Sequence, residues 1–445
     1  MSALACFMSD KGHTVAGSDR AFDQDPSHPV AGLLRSKRIS LVPQDGNGID
    51  ASFDLAVFSA AVEPDRPEVA RAREIGVPAR TRPELLADIV RDFETILVAG
   101  TSGKSTTSGM LAFLMERLGL APNFIGGGRV KQFHDARDPG NSLSGRSRHL
   151  VMEACESDGS IVNYKPLHSV ILNLDFDHHP VDTTAGMFRR LIQNTSGRIV
   201  LNRDDDNLKE LGISDAVTFS MNSPSDFRAE DVVYGPFKTH FSVGGTAFRL
   251  SLPGRHNLSN ALSCIATLNM MNIPLAGIAS VLHEFEGIER RFDIVLDDGK
   301  HLVIDDYAHN PHKISALMET VSPIREKICY IFQPHGFGPT RMMKSEYIKT
   351  FVKHLRDRDH LILLPIFYAG GTASKDISSL DLAEGIKAAG RSVEAARTRD
   401  DILARAGQWD TYVIFGARDE TLSAFAKTIS GQLFASGKKV LFVLR

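Results

Sequence analysis

The chain reads as short apolar runs set between helical patterns. Strand candidates are HTVAGSD (13–19), DLAVFSA (54–60), TILVAG (95–100), HLVMEA (149–154), SVILNL (169–174) and RIVLN (198–202). Later come HLVIDD (301–306), KICYIFQ (327–333), HLILLPIF (360–367) and TYVIFGA (411–417). Several are apolar at every position instead of alternating, the pattern of a strand covered on both faces. Between them, residues 104–118 place Met110, Leu111, Leu114 and Leu118 on one helical face, with Gly119 as the stop. Repeated strand–helix order predicts parallel sheets covered by helices. Residues 215–252 break this rhythm: VTFS, VVY, THFSV and FRLSL are short and partly alternating, and Gly244–Gly245 marks a hairpin. They predict a small antiparallel patch inside an otherwise α/β segment.

Length divides this pattern. The chain has 445 residues, whereas a single core stops growing near roughly 250–300. Fresh strands after Arg91–Asp92 and after Gly287–Glu289 predict three α/β domains, 1–92, 93–288 and 289–445. Charge excludes some partners: 51 Lys and Arg against 54 Asp and Glu give −3, with no long run of one sign. A protein that coats nucleic acid is therefore not expected. No apolar stretch approaches the roughly 20 residues of a membrane helix. MSALACFMSDKG has no signal-peptide pattern, and Cys6, Cys155, Cys264 and Cys329 are too scattered for a CxxC pair or a disulfide framework. The expectation is a soluble cytoplasmic enzyme acting on small molecules, with neither nucleic acid nor membrane as partner.

The strongest local chemistry is TILVAG-TSGKSTT-SGMLAFLMERLG. A buried strand enters a Gly-bounded turn, Gly100-Thr101-Ser102-Gly103, then Lys104, Ser105 and Thr106 open a helix. Backbone N–H groups and the helix N-terminus converge there, which favours a polyphosphate. Lys104 neutralises the β/γ-phosphates, and Ser105 or Thr106 offers a hydroxyl to Mg²⁺. Val98 stands where the long form of this motif has its first glycine, so the loop is of the shortened GTxGK[ST] type. Lys104 is expected to be solvated beyond the loop. Glu153 ends one expected strand and His178 follows another, so both reach the carboxyl edge where the Ser105 helix starts. Carboxylate, imidazole and hydroxyl around a phosphate suit Mg²⁺ with retained waters; the alternative for these acids is helix capping.

GTSGKSTT resembles the ATP loop of the Mur ligases, the ATP-dependent amide-forming enzymes of peptidoglycan precursor synthesis. SAAVEPDRPEV (59–69), EACESDGS (153–160), LDFDHH (174–179), LNRDDDN (201–207), LPGRHNLSNAL (252–262), ERRFD (289–293), DDYAHNPHKI (305–314) and FQPHGFG (332–338) follow in the family's order. The likeness spans nearly the whole chain and is greatest to the muramate–alanine branch and its murein-tripeptide-recycling relatives. It implies a Rossmann-like N-terminal domain for a UDP-sugar, a central P-loop ATPase-like domain, and a C-terminal Rossmann-like domain for the amine acceptor. It further implies Mg²⁺ on Ser105, Glu153 and His178, with Glu156 and Asp177 behind them. His256 and Asn260, with Asn257 beside them, are implied to contact adenine. Arg291, with Arg290 as the alternative, reaches the phosphates, and Asp306 or Asp305 holds the ribose. His309 and His335 fall at strand carboxyl ends, where two imidazoles position an amine or accept its proton.

Two departures from the family alter the expectation. The alanine-adding enzymes carry HRFTRTR after the motif's proline, whereas here His335 is followed by Gly336-Phe337-Gly338-Pro339-Thr340, and only Arg341 remains. The family's first strand and its glycine-rich diphosphate turn precede the segment SALACFMSDKG, so a start downstream of the true one is expected, the first domain lacking its first strand. The expected reaction is ATP-dependent joining of UDP-N-acetylmuramate to L-alanine. The alternatives are ligation of a murein tripeptide, a different amine acceptor, or a nucleotide-binding regulatory paralogue without ligase activity.

Overall fold

The structure, a computed structural model of the chain, describes residues 1–436 apart from 27, 60, 61, 64, 136, 177, 178, 369, 371 and 372. Its contacts divide it into two units, Met1–Ile288 and Glu289–Arg445. The first unit opens with the helix Ser2–Asp10 and two parallel strand pairs. β1 (Ala16–Gly17) pairs with β2 (Ser40–Leu41), and β3 (Ala56–Phe58) with β4 (Ala79–Thr81). Thr81 and Glu84 then close a reciprocal capping box on the helix Arg82–Asp92. Ala3, Leu4, Phe7, Leu86, Ile89 and Val90 share one apolar cluster with Leu97, Ile125, Leu150 and Met152. That shared cluster ties the first ninety residues to the next segment.

The central sheet holds β5 (Glu94–Ala99), β6 (Asn123–Ile125), β7 (Ser142–Leu143), β8 (His149–Glu153), β9 (His168–Ile171), β10 (Ile199–Asn202), β11 (Val217–Ser220) and β12 (Phe227–Arg228). Its order is β12-β11-β10-β9-β5-β8-β6-β7, parallel except for β7 against β6. Strand β5 lies between β8 and β9, so its C-terminal loop is flanked by the ends of both. After β8 the chain crosses β5 to build the other half of the sheet, and such a crossing is where α/β sheets bind ligands.

The helix Lys104–Arg117 buries Met110, Leu111 and Leu114 as expected, and every other residue from Thr106 to Met115 as well, because it packs between the sheet and the helix Arg255–Met270. VTFS, expected in the antiparallel patch, is not antiparallel. It is β11, parallel to β10, with Phe219 in the same cluster as Val200. The antiparallel patch is confined to β13 (Glu230–Tyr234), β14 (Thr239–Val243) and β15 (Thr246–Leu250). Val243 pairs with Thr246 across Gly244 and Gly245, whose φ values of 55° and 77° fit the two-residue hairpin turn that glycine allows.

The second unit is a six-stranded sheet of β16 (Asp293–Asp297), β17 (Leu302–Asp306), β18 (Cys329–Phe332), β19 (His360–Leu363), β20 (Val393–Ala395) and β21 (Thr411–Phe415). The order is β16-β17-β21-β18-β19-β20, with β16 antiparallel and the rest parallel. Strands β18 and β21 are buried at every position, as their uninterrupted apolar runs predict. Among the described residues no helix is long and apolar enough to cross a membrane.

Candidate functional site

The loop after β5 is built by backbone conformations that only glycine adopts easily and by one asparagine. Gly100 has φ 149° and Gly103 φ 84°. A Cβ on Gly103 would stand 2.5 Å from Asn260 Oδ1, and one on Gly100 3.0 Å from Leu172 Cβ. Asn173, just past β9, braces the turn: its Oδ1 accepts from Thr101 Oγ1 and Ser102 N, both at 2.8 Å. Its Nδ2 donates to Ser102 O at 3.0 Å. Ser105 and Thr106 follow in the first turn of the helix, Ser105 half-buried and Thr106 buried. The N–H groups of that turn have no partner within the helix, leaving an anion-binding end.

Lys104 is not solvated. Its Nζ donates to Gly100 O at 2.5 Å and to Glu156 Oε1 and Oε2 at 3.2 and 2.8 Å. The two side chains are only 11% and 2% exposed. The lysine approaches the loop from a buried ion pair, because the segment after β8 folds Glu156 beneath it.

Glu153 ends β8 and its Oε2 accepts from Gly127 N at 3.0 Å. A Cβ on Gly127 would lie 2.6 Å from that oxygen, and one on Gly128 would lie 3.3 Å from Ser105 Cβ. Thus Ser105 and Glu153 flank the same bare glycine pair, a hydroxyl and a carboxylate of the kind hard cations take. The third expected ligand, His178, lies outside the described residues, as does Asp177. Among the described residues no three His, Cys, Asp or Glu side chains gather into a metal-holding group. His179 turns its Nε2 to Ser157 O at 3.2 Å.

The helix Arg255–Met270 presents Asn260 to the phosphate loop. Asn257 is buried and donates to Pro253 O at 2.8 Å, and Asn260 Nδ2 reaches Asn257 Oδ1 at 3.5 Å. His256 is exposed. The two asparagines are therefore brought together, with Asn260 on the loop side.

In the second unit the site residues gather at the carboxyl edge of the sheet. Tyr307, after β17, stacks against two guanidinium groups, Arg290 at 5.1 Å and Arg291 at 4.8 Å from its ring centre. Arg290 is buried, donates to Gly416 O at 2.7 Å and lies 3.6 Å from Asp305. It is thus an internal strut, which leaves Arg291 as the half-buried member of the pair. Burial pushes the Asp305 carboxyl up to about 6 against the pull of Arg290. Asp306 accepts from Phe292 N and Ala308 N, both at 2.6 Å, so its carboxylate ties two turns together.

His309 and His335 meet with ring centres 5.3 Å apart at 76°. His309 Nδ1 lies 2.9 Å from the Tyr307 carbonyl. A carbonyl only accepts, so Nδ1 carries the proton and Nε2 keeps a lone pair. Burial, and then the Lys313 ammonium, hold this imidazole down to about 3. Arg341 is not part of this pair: it is exposed and bound to Asp376 and to Ser374 O.

Sequence reasoning left Asn173, Gly127, Gly128 and Tyr307 without a role, and did not find the ion pair of Arg399 with Asp419 at 2.5 Å. One signal existed: an asparagine interrupting the apolar run SVILNL at its C-terminal end.

Residues 1–94 match the Mur ligase family catalytic domain, 98–268 the Mur ligase middle domain, and 290–418 the Mur ligase glutamate ligase domain. The chain is 30% identical over 422 residues to a UDP-N-acetylmuramate–L-alanine ligase of Caldanaerobacter subterraneus, covering 91% of this chain and 88% of that one. It is also 30% identical to the enzyme of that name from Caldicellulosiruptor saccharolyticus, covering 94% of both. The crystal structure of UDP-N-acetylmuramate-alanine ligase from Thermotoga maritima superposes with a TM-score of 0.82 at 25% identity, covering 98% of this chain and 97% of that one. A murein peptide ligase from Psychrobacter arcticus shares the fold, with a TM-score of 0.68 at 21% identity over 99% and 97% of the two chains. With a glycine-bounded loop, its lysine and the three-part α/β fold in agreement, this chain belongs to the Mur ligase family, the ATP-dependent ligases of peptidoglycan precursor synthesis.

Proposed function

We propose that the chain joins UDP-N-acetylmuramate to L-alanine in the cytoplasm, with ATP as the activating substrate. The observation that carries the ATP half is the loop itself, with Gly100 and Gly103 in positive φ and Lys104 held beside them. The names of the relatives supply muramate and alanine. In this reading residues 1–92 take the UDP-sugar, 93–288 the ATP and 289–445 the amine.

The muramate carboxylate attacks the γ-phosphorus and ADP leaves. The amine of alanine then attacks the acyl carbonyl, and inorganic phosphate leaves as the amide forms. Lys104 and the loop N–H groups neutralise charge on the phosphates, so the first step rests on positioning and electrostatics. Ser105, Glu153 and His178 would hold Mg²⁺, whose contribution is charge neutralisation on the phosphate oxygens. His256, Asn257 and Asn260 serve the adenine end, Arg291 the phosphates, and Asp306 the ribose. His309, neutral with Nδ1 turned to the Tyr307 carbonyl, offers its Nε2 lone pair as a hydrogen-bond acceptor that orients the attacking amine, with His335 beside it.

Phosphate release from ATP, measured with UDP-N-acetylmuramate and a panel of amino acids, dipeptides and tripeptides, tests the proposal. Release that requires both the UDP-sugar and L-alanine is the expected result. Release with a murein tripeptide instead of alanine would move the chain to the recycling branch, and no release with any pair would leave nucleotide binding alone.

A further inference from the structure

A cavity of about 810 Å³ opens in the first unit beside the C-terminal turns of the helix Lys104–Arg117. It shares no residue with the phosphate loop. At 1.5 Å per residue, Phe113 and Glu116 on its wall stand about 13 and 18 Å along the helix from Lys104. Several of its charges are already matched. Arg117 pairs with Glu284 at 2.6 Å. Asp138 pairs with Lys37 and accepts from Gly140 N at 2.8 Å. Glu116 and Glu286 are exposed, and among the described residues neither makes an ion pair or a side-chain hydrogen bond. They leave two uncompensated negative charges beside the negative end of the helix dipole.

Exposed acids alone are ordinary solvated surface. What sets this place apart is two buried oxygens that lack a partner. Ser142, on β7, is 1% exposed, and its Oγ has no hydrogen bond among the described residues. Gln132 donates from Nε2 to Glu284 O at 2.7 Å, which orients the amide and leaves its buried Oε1 unbonded. Both side chains line the cavity. A buried oxygen without a partner destabilises the free protein, and a bound N–H donor removes that penalty. Among the described residues no three His, Cys, Asp or Glu side chains gather around one point. A single metal ion is therefore a poor match, whereas an elongated molecule with cationic ends reaches separated carboxylates. Phe113 and Phe133, with ring centres 6.4 Å apart, add an apolar wall for the methylenes of such a chain.

We propose that this cavity binds an aliphatic di- or polyamine, with its ammonium groups on Glu116 and Glu286 and its N–H groups donated to Gln132 Oε1 and Ser142 Oγ. The site stands apart from the phosphate loop, so its occupancy is independent of the ligase reading above.

The test is calorimetric titration of the full chain with spermidine at fixed ionic strength, where one saturable site is expected. Glu116→Gln combined with Glu286→Gln should weaken binding roughly 10–100-fold, and Ser142→Ala roughly fivefold, the effects of lost charged and neutral hydrogen bonds. Ser142→Ala removes only an unbonded oxygen, so the Tm of the free protein should hold or rise. Glu74→Gln combined with Asp215→Asn makes the same change of charge on exposed acids outside the cavity, and should leave binding unchanged. Equal weakening in that control, binding indifferent to Ser142→Ala, or no saturable binding overturns the proposal. So does calcium alone binding at these residues more tightly than spermidine. None of these results bears on the ligase reading, which phosphate release decides separately.

Discussion

Lys104 shows how a single residue serves the fold and the chemistry together. Its sequence position announces a phosphate ligand, yet its ammonium also neutralises Glu156, which is 2% exposed. Removing one partner of a buried pair strands the other charge, at a cost of about 3–5 kcal/mol. Lys104→Ala should therefore lower ATP turnover on the order of 10²–10³-fold and also lower Tm. Adding Glu156→Gln should recover most of the Tm and none of the turnover, as thermal unfolding and phosphate release on the two variants will show. A single variant with wild-type Tm contradicts the buried pair. No sequence rule gives this, because Glu156 reaches Lys104 only through the pairing of β5 with β8. His309 is a second case. Its ring stays neutral well below the usual histidine range, whereas in the unfolded chain it protonates near pH 6.5. The unfolded state then binds more protons between those values, so the contribution of this residue to stability is complete above pH 6.5 and is lost as pH falls from there toward 3. An NMR titration should show its ring resonances flat from pH 8 to pH 5; a midpoint near 6.5 would contradict a ring kept neutral by burial.

At the scale of elements, the strand–loop–helix from Glu94 to Arg117 was legible in the sequence because its signals are local: an apolar run, two glycines and a helical period. What holds the loop was not, since Asn173 and Asn260 arrive from β9 and from the helix Arg255–Met270, 71 and 157 residues beyond Ser102 and Gly103. Asn173→Ala removes three hydrogen bonds to Thr101 and Ser102. It should raise KM for ATP by roughly tenfold, the worth of one or two net hydrogen bonds, with little change in far-UV circular dichroism. Gly103→Ala places a side chain at φ 84° and a Cβ 2.5 Å from Asn260. The left-handed backbone alone costs about 1–2 kcal/mol; Asn260→Ala added to it relieves the contact but not the backbone, so stability should recover only in part. The same locality explains why VTFS was misplaced. Short half-alternating strands carry no information about which neighbour they will pair with, and β11 found β10.

For the whole molecule, the two units differ in how far each segment can stand alone. Residues from Glu289 onward bury β17, β18 and β21 among their own helices, so a fragment of 289–445 should fold by itself. Residues 1–92 should not, because Ala3, Leu4, Phe7 and Leu86 bury against Leu97, Ile125 and Leu150. Dispersed amide resonances for the first fragment and collapsed ones for the second are expected in NMR spectra. The carboxyl edges of both large sheets carry the residues with chemistry, as open α/β sheets arrange them. On the proposed function, ATP activates a carboxylate by phosphoryl transfer at the Lys104 loop. That step is tested most directly with UDP-N-acetylmuramate labelled with ¹⁸O in its carboxylate, followed by mass spectrometry of the phosphate released with L-alanine. An acyl phosphate passes one carboxylate oxygen to phosphorus, so each phosphate should carry one ¹⁸O. Phosphate free of label, formed while the amide product accumulates, would contradict it.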